Sequence, residues 1–151
     1  MKRQLGFTLI ELLVAATIIA LLTTIGLVSF QITNTKARDG KRKADLEQVR
    51  AALELYKSDD SAGAGRYPNS NTFSAMEGTL QSSNYLSAPV PSDPKNDQTQ
   101  GLVYVYTVNN TQTSYCLCAK LEQNSAGNTA AENCSAIGTN GTGQYYCLAN
   151  P

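Results

Sequence analysis

The sequence predicts an α+β fold, with one long N-terminal helix packed by its second half on a small antiparallel sheet. Three observations carry that prediction. From Leu12 to Phe30 there is no charged residue and no proline. Leu46, Val49, Ala52, Leu53 and Tyr56 then recur at helical spacing, which marks one buried stripe. Later, two runs rich in Val, Tyr and Thr flank Asn109-Asn110, a hairpin signal.

The apolar run sits in GFTLIELLVAATIIALLTTIGLVSF, Gly6 to Phe30, behind a basic pair, Lys2 and Arg3. Extended back through Phe7 it reaches the roughly 20 apolar residues that a bilayer-crossing helix needs. A core helix of a small soluble domain would show a polar stripe, and this one has none. A secretory signal peptide would end in a small-residue cleavage site, and no A-x-A-like site follows. A membrane-inserted helix remains, and its one charge is Glu11. An ionisable group inside an apolar segment is costly and therefore reads as functional. Snorkelling of Glu11 to the interface is the plainer alternative on residue chemistry alone.

GFTLIELL, with its short basic leader and the apolar run behind it, closely resembles the class III signal of type IV pilins and of type II secretion pseudopilins. The resemblance implies a pilin-like fold and cleavage between Gly6 and Phe7 by a prepilin peptidase that also N-methylates Phe7. It further implies that the Glu11 carboxylate pairs with the N-terminal amine of a neighbouring subunit during assembly. Implied partners are copies of the chain, other pilins and an inner-membrane assembly platform. The membrane holds the subunit before assembly, and an extracellular surface filament holds it afterwards. One departure stands out: many type IV pilins carry a proline where this sequence has Val28. Thr23, Thr24 and Gly26 are the helix-weakening residues nearby.

In these terms the chain divides into a leader at 1–6, a membrane or filament-core helix at 7–30, its amphipathic continuation at 31–60 and a head at 61–151. With 151 residues there is room for one domain beyond the membrane helix. No breaker lies between Phe30 and Ile32, so one helix is expected from about Thr8 to about Ser58, ended by Asp59, Asp60 and SAGAG. Gly40 is the expected place for a bend. Asp39 with Lys43 and Glu54 with Lys57 stand at pairing distance on the polar face. Lys36, Arg38, Lys41, Arg42 and Lys43 form a basic cluster. Phosphate, of lipid or nucleic acid, would suit it. The preferred reading is a solvated face meeting acidic patches of neighbouring subunits, so nucleic acid is compatible but not predicted. Taken alone, the positive-inside rule would put this cluster in the cytoplasm. The outward orientation rests on the resemblance and on the cysteines.

Arg66-Tyr67-Pro68 resembles the Tyr-Pro that closes this helix in the family. A short helix is expected from Phe73 to Gln81, with Phe73, Met76 and Leu80 on one side. Pro89, Pro91 and Pro94 exclude a regular element between Ala88 and Lys95. Asp93, Asn96 and Asp97 offer oxygen ligands, but at no EF-hand spacing, and a solvated turn is preferred to a calcium site. The downstream acidic loop of calcium-binding pseudopilins has no counterpart here, where cysteines stand instead. Strands are expected at Leu102 to Val108, Thr113 to Leu121 and Gln144 to Leu148.

Four cysteines, Cys116, Cys118, Cys134 and Cys147, suit two disulfides in an exported head. Cys116 and Cys118 share a strand face and so should not bond to each other. The expected pairing is Cys118 with Cys134 and Cys116 with Cys147, with the strand bearing Cys147 beside the first strand. A four-cysteine zinc site is disfavoured because the two-residue knuckle spacing is absent. With no histidine in the chain, the commonest general base is missing, and no phosphate-binding loop is present. No catalytic residue, metal or cofactor is therefore predicted. The expected function is structural: a major or minor pilin in a type IV pilus-like filament, serving adhesion, motility, DNA uptake or secretion. The alternatives are a type II secretion pseudopilin and a membrane-anchored binding domain that does not polymerise.

Overall fold

The computed structural model describes residues 7–59, 61–137 and 143–150. Gly6, the leader pair Lys2 and Arg3, and Asp60 lie outside the described residues. Helix α1 spans Leu9–Ser58 and continues through Gly26 and Gly40. The chain divides into two units, Met1–Lys36 and Ala37–Pro151, and the division falls inside α1.

In the first unit, the helix hydroxyls turn inward on their own backbone. Thr17 donates to the carbonyl of Val14 (2.8 Å), Thr23 to Ile19 (2.7 Å), Thr24 to Ala20 (2.8 Å) and Thr33 to Ser29 (2.9 Å). Such back-bonding satisfies each hydroxyl without water, as an apolar surrounding requires. The threonines thus keep the segment apolar to the outside.

In the second unit, the α1 stripe meets a three-stranded antiparallel sheet. Strands β1 (Tyr104–Val108), β2 (Tyr115–Lys120) and β3 (Tyr145–Ala149) lie in the order β1-β2-β3. Helix α2 (Phe73–Ser82) begins at Thr72, whose hydroxyl accepts from the Ala75 N–H at 3.3 Å, a standard N-cap. Leu46, Val49, Ala52 and Leu53 are buried with Met76 and Leu80 of α2 and with Tyr104, Tyr106, Leu117, Ala119 and Leu148 of the sheet. Tyr56, the fifth member of the stripe, is half-buried against this core. The β1–β2 turn closes on Asn109, whose side-chain oxygen accepts from the N–H groups of Thr113 and Ser114.

The other face of the sheet is covered in part, at Cys118 and Cys147. Residues 127–129 bridge to Gly143 and Tyr145, and a short 3-10 turn, Cys134–Ala136, follows. The Asn128 amide donates to the Cys147 carbonyl (2.7 Å) and accepts its N–H (2.8 Å), so one side chain replaces a neighbouring strand at the β3 edge. Gly127 and Gly143 permit this approach, because a Cβ on either would strike backbone across the bridge.

The disulfides differ from the expected pairing. Cys116 bonds Cys134, and Cys118 bonds Cys147. The reason is strand order: β3 lies beside β2, and the register sets Cys147 directly opposite Cys118. Those two occupy a non-hydrogen-bonded pair, where Cα atoms come closest, here 4.1 Å. Cys116, two residues along the same face, is left for Cys134. The sulfurs of Cys116, Cys118 and Cys134 lie within 4.8 Å of one another, but the disulfides consume them.

Candidate functional site

The described residues of the first unit present an exposed apolar surface. Phe7 is 83% exposed, and Ile10, Leu13, Ile18, Leu21, Ile25, Val28 and Phe30 are all exposed. The helix is long and apolar enough to cross a membrane, and none of its most apolar window is buried. At about 25 cal/mol per Å² such a surface cannot stay in water. It calls for lipid or for other helices.

Glu11 sits where this segment begins. Thr8 is the residue before the helix, and its N–H (2.8 Å) and hydroxyl (2.6 Å) both donate to Glu11 Oε2. The Glu11 N–H reaches back to the Thr8 hydroxyl at 3.4 Å. This is a capping box, and T-x-x-E before an apolar run was its legible signal, overlooked in reading Glu11 as a charge in need of a remote partner. Both bonds land on Oε2. Phe7, Ile10, Val14, Ala15 and Ile18 line a groove of about 430 Å³ beside this carboxylate. Gly6, expected from sequence to precede the cut at Phe7, lies outside the described residues.

In the second unit, Arg38, Arg42 and Lys43 of the basic cluster do not form a solvated face, whereas Lys41 stays exposed. Arg42 is fully buried. It forks onto Asp93 (Nε to Oδ2 2.7 Å, Nη2 to Oδ1 2.9 Å) and reaches Asp39 and Glu122, each at 2.8 Å. Arg38 forks onto Glu122 (2.6 and 2.7 Å), and Lys95 reaches it at 2.8 Å. Asp39 accepts the N–H groups of Glu122 and Gln123. Lys43 donates to the Ala126 carbonyl at 2.6 Å and lies over the Tyr146 ring. Arg38, Arg42 and Lys43 clamp this part of the helix to the head, because a buried guanidinium must be paired with carboxylates. The 93–97 turn is likewise not solvated at its first residue: Asp93 is buried against Arg42, while Asp97 caps the 3-10 turn Gln98–Gln100.

A second network escaped sequence reading. Carboxylates of α1 and of the residue just after it accept from tyrosine hydroxyls: Asp45 from Tyr104 (2.7 Å), Glu47 from Tyr146 (2.8 Å), Glu54 from Tyr67 (3.0 Å) and Tyr115 (3.3 Å), and Asp59 from Tyr85. Glu54 therefore does not pair with Lys57, which donates to the Tyr67 hydroxyl instead (3.2 Å). Nor does Asp39 pair with Lys43.

The clamp predicts acid lability. Hydrogen bonds from Arg38, then Lys95 and Arg42, hold the Glu122 carboxyl well below its ordinary 4.5. Burial alone would raise Asp93, but the Arg42 fork and the N–H groups of Lys95 and Asn96 bring it below its ordinary 3.8. Both carboxyls thus bind protons more readily in the unfolded chain, so their stabilisation is complete above the ordinary range. It is lost as pH falls through 4.5 towards the folded values. The thermal midpoint of the head should fall steadily below that pH, and Glu122→Gln should flatten the slope. A midpoint that stays level down to roughly pH 3 would contradict the clamp.

Comparison with known proteins bears on the N-terminal segment. The family described as the prokaryotic N-terminal methylation motif matches residues 1–27. The type II secretion system core protein G of Klebsiella pneumoniae is 37% identical over 68 residues, which is 45% of this chain and 46% of that protein. The chain thus spans about half the length of the relative it matches. No solved structure matches the chain. The chain thus carries a prokaryotic N-terminal methylation motif at the start of its apolar helix, and over 68 residues it is similar to a type II secretion core protein.

Proposed function

We propose that the chain is a pseudopilin-type subunit, held in the membrane by its apolar helix and then drawn into a filament with copies of itself and related pilins. The observation that carries this is the exposed apolar surface of Phe7 to Ile32, interrupted by one carboxylate. The likeness to a type II secretion core protein puts the secretion machine ahead of the surface pilus, reversing the order preferred from sequence. In this reading a prepilin peptidase cuts between Gly6 and Phe7 and methylates Phe7, and an inner-membrane platform extracts the subunit. Glu11 keeps Oε2 on Thr8 and offers Oε1 to the Phe7 amine of a neighbour. In an apolar bundle two such charges offset each other's desolvation. The chain is not an enzyme in this reading: it has no histidine, and its cysteines are tied in disulfides.

A type IV pilus subunit is the second reading. It is favoured by the disulfide-bound segment standing where calcium-binding pseudopilins, by resemblance, carry an acidic loop. Intact mass of the subunit, before and after reduction, tests processing: loss of Met1 to Gly6 with one added methyl is expected. Recovery in long sheared filaments would select the pilus, and retention in the envelope with a secretion defect on deletion would select the pseudopilin.

Glu11→Ala should cut filament incorporation by about tenfold or more while leaving membrane insertion intact. Thr8→Ala, which breaks the capping box but keeps the carboxylate, should assemble nearly normally. If both variants fail equally, Glu11 acts only as a helix cap and its assembly role is wrong.

A further inference from the structure

The open edge of the sheet borders a cavity with an unmatched carboxylate. Asn109 N–H bonds the Ser114 carbonyl, so the hydrogen-bonded pairs of the hairpin recur at Thr107 with Cys116 and Val105 with Cys118. The backbone N–H and C=O groups of Tyr104 and Tyr106 therefore face away from β2, and no described residue pairs with them. A cavity of about 620 Å³ is lined by four consecutive residues, Val103 to Tyr106. Alternate side chains of a strand face opposite ways, so a cavity touching all four runs along the strand edge. Helix α2 borders it through Phe73 and Glu77, and Pro91 to Asp93 lie on its rim.

Glu77 is the unexplained group. Its Oε1 is buried with no hydrogen-bond partner, and burial pushes its carboxyl pKa up. A buried unpaired carboxyl oxygen costs free energy that a cation would recover. Among the lining residues there is no lysine or arginine, and the second carboxylate, Asp93, is already held by Arg42. The wall beside Glu77 is aromatic, with Phe73 set edge-on to Tyr104 at 5.3 Å.

We propose that this cavity binds an extended peptide segment of a partner protein, which adds as a strand to β1 and places a lysine or arginine on Glu77. Backbone groups of Tyr104 and Tyr106 supply the ladder, and the carboxylate selects the side chain. The site lies in the head and uses no residue of the apolar segment that anchors or assembles the chain.

The probe is a fluorescent acetyl-Thr-Val-Lys-Val-Thr-amide, titrated into the full chain in detergent micelles, with amide shifts recorded in parallel. Saturable binding with shifts at Tyr104 and Tyr106 is expected. Glu77→Gln should weaken it about tenfold or more, as should replacing the peptide's lysine by glutamate. N-methylation of the peptide backbone should abolish it with the wild-type protein, which keeps the test valid whatever Glu77→Gln does to folding. Absence of saturable binding overturns the proposal. So does binding that tolerates N-methylation, which would mark a simple cation site without strand addition.

Discussion

Arg42→Met should destabilise the head by about 3–5 kcal/mol, because it leaves buried carboxylates facing each other without a cation. Arg42 is fully buried and binds Asp39, Asp93 and Glu122 at once. Burial would lower its pKa, yet the hydrogen bonds to Asp93, Glu122 and Asp39 turn the net shift upward. The guanidinium thus stays charged at any pH the protein meets. Removing the exposed Lys41, which stands 3.9 Å from Asp45 on the same helix, should by contrast cost less than about 1 kcal/mol. Arg42→Lys should recover only part of the loss, since an ammonium cannot reproduce the fork onto Asp93. Urea unfolding of the full chain in micelles, followed by tyrosine fluorescence because the chain has no tryptophan, reads the difference. A loss below about 1 kcal/mol for Arg42→Met would show that the network merely tolerates its charge.

Replacing Cys118 and Cys147 together by alanine should cost roughly 3.5 kcal/mol, the loop-closure value for their separation of 29 residues. The Cys116–Cys134 pair, 18 apart, should cost roughly 3 kcal/mol by the same relation. Access separates them further. Cys118 and Cys147 are buried between the sheet and the 127–137 segment, whereas Cys116 and Cys134 are partly exposed. Limited reduction followed by alkylation and peptide mapping should label Cys116 and Cys134 first. Labelling of Cys147 at an equal rate would mean that the covering segment opens as easily as the surface.

Much of the fold was legible because it rests on periodicity. The α1 stripe from Leu46 to Leu53, α2 from Phe73 and the hairpin about Asn109 each follow from local spacing and turn chemistry. The N-terminal motif was legible because its residues are contiguous. Polar partners were not. The i,i+4 rule offered Lys43 to Asp39, but Asp39 found two backbone N–H groups some 80 residues away, and the strongest local donor was Arg42 at i+3. A spacing rule counts neighbours on one helix, and a buried carboxylate takes the donors that tertiary packing delivers.

By itself, then, the sequence determined the helix, its apolar and amphipathic halves, the strands and the N-terminal methylation motif, since these depend on residues close in the chain. Tertiary structure alone decided that β3 lies beside β2, and with it which cysteines bond. It also decided that Arg42 is buried rather than solvated, that tyrosine hydroxyls dock on the α1 carboxylates, and that Glu77 stands unpaired beside an open strand edge. The physical reason is common to all of these. Periodicity states which face of an element is apolar, whereas strand order and the closing of distant loops state what that face, and each charge beside it, will meet.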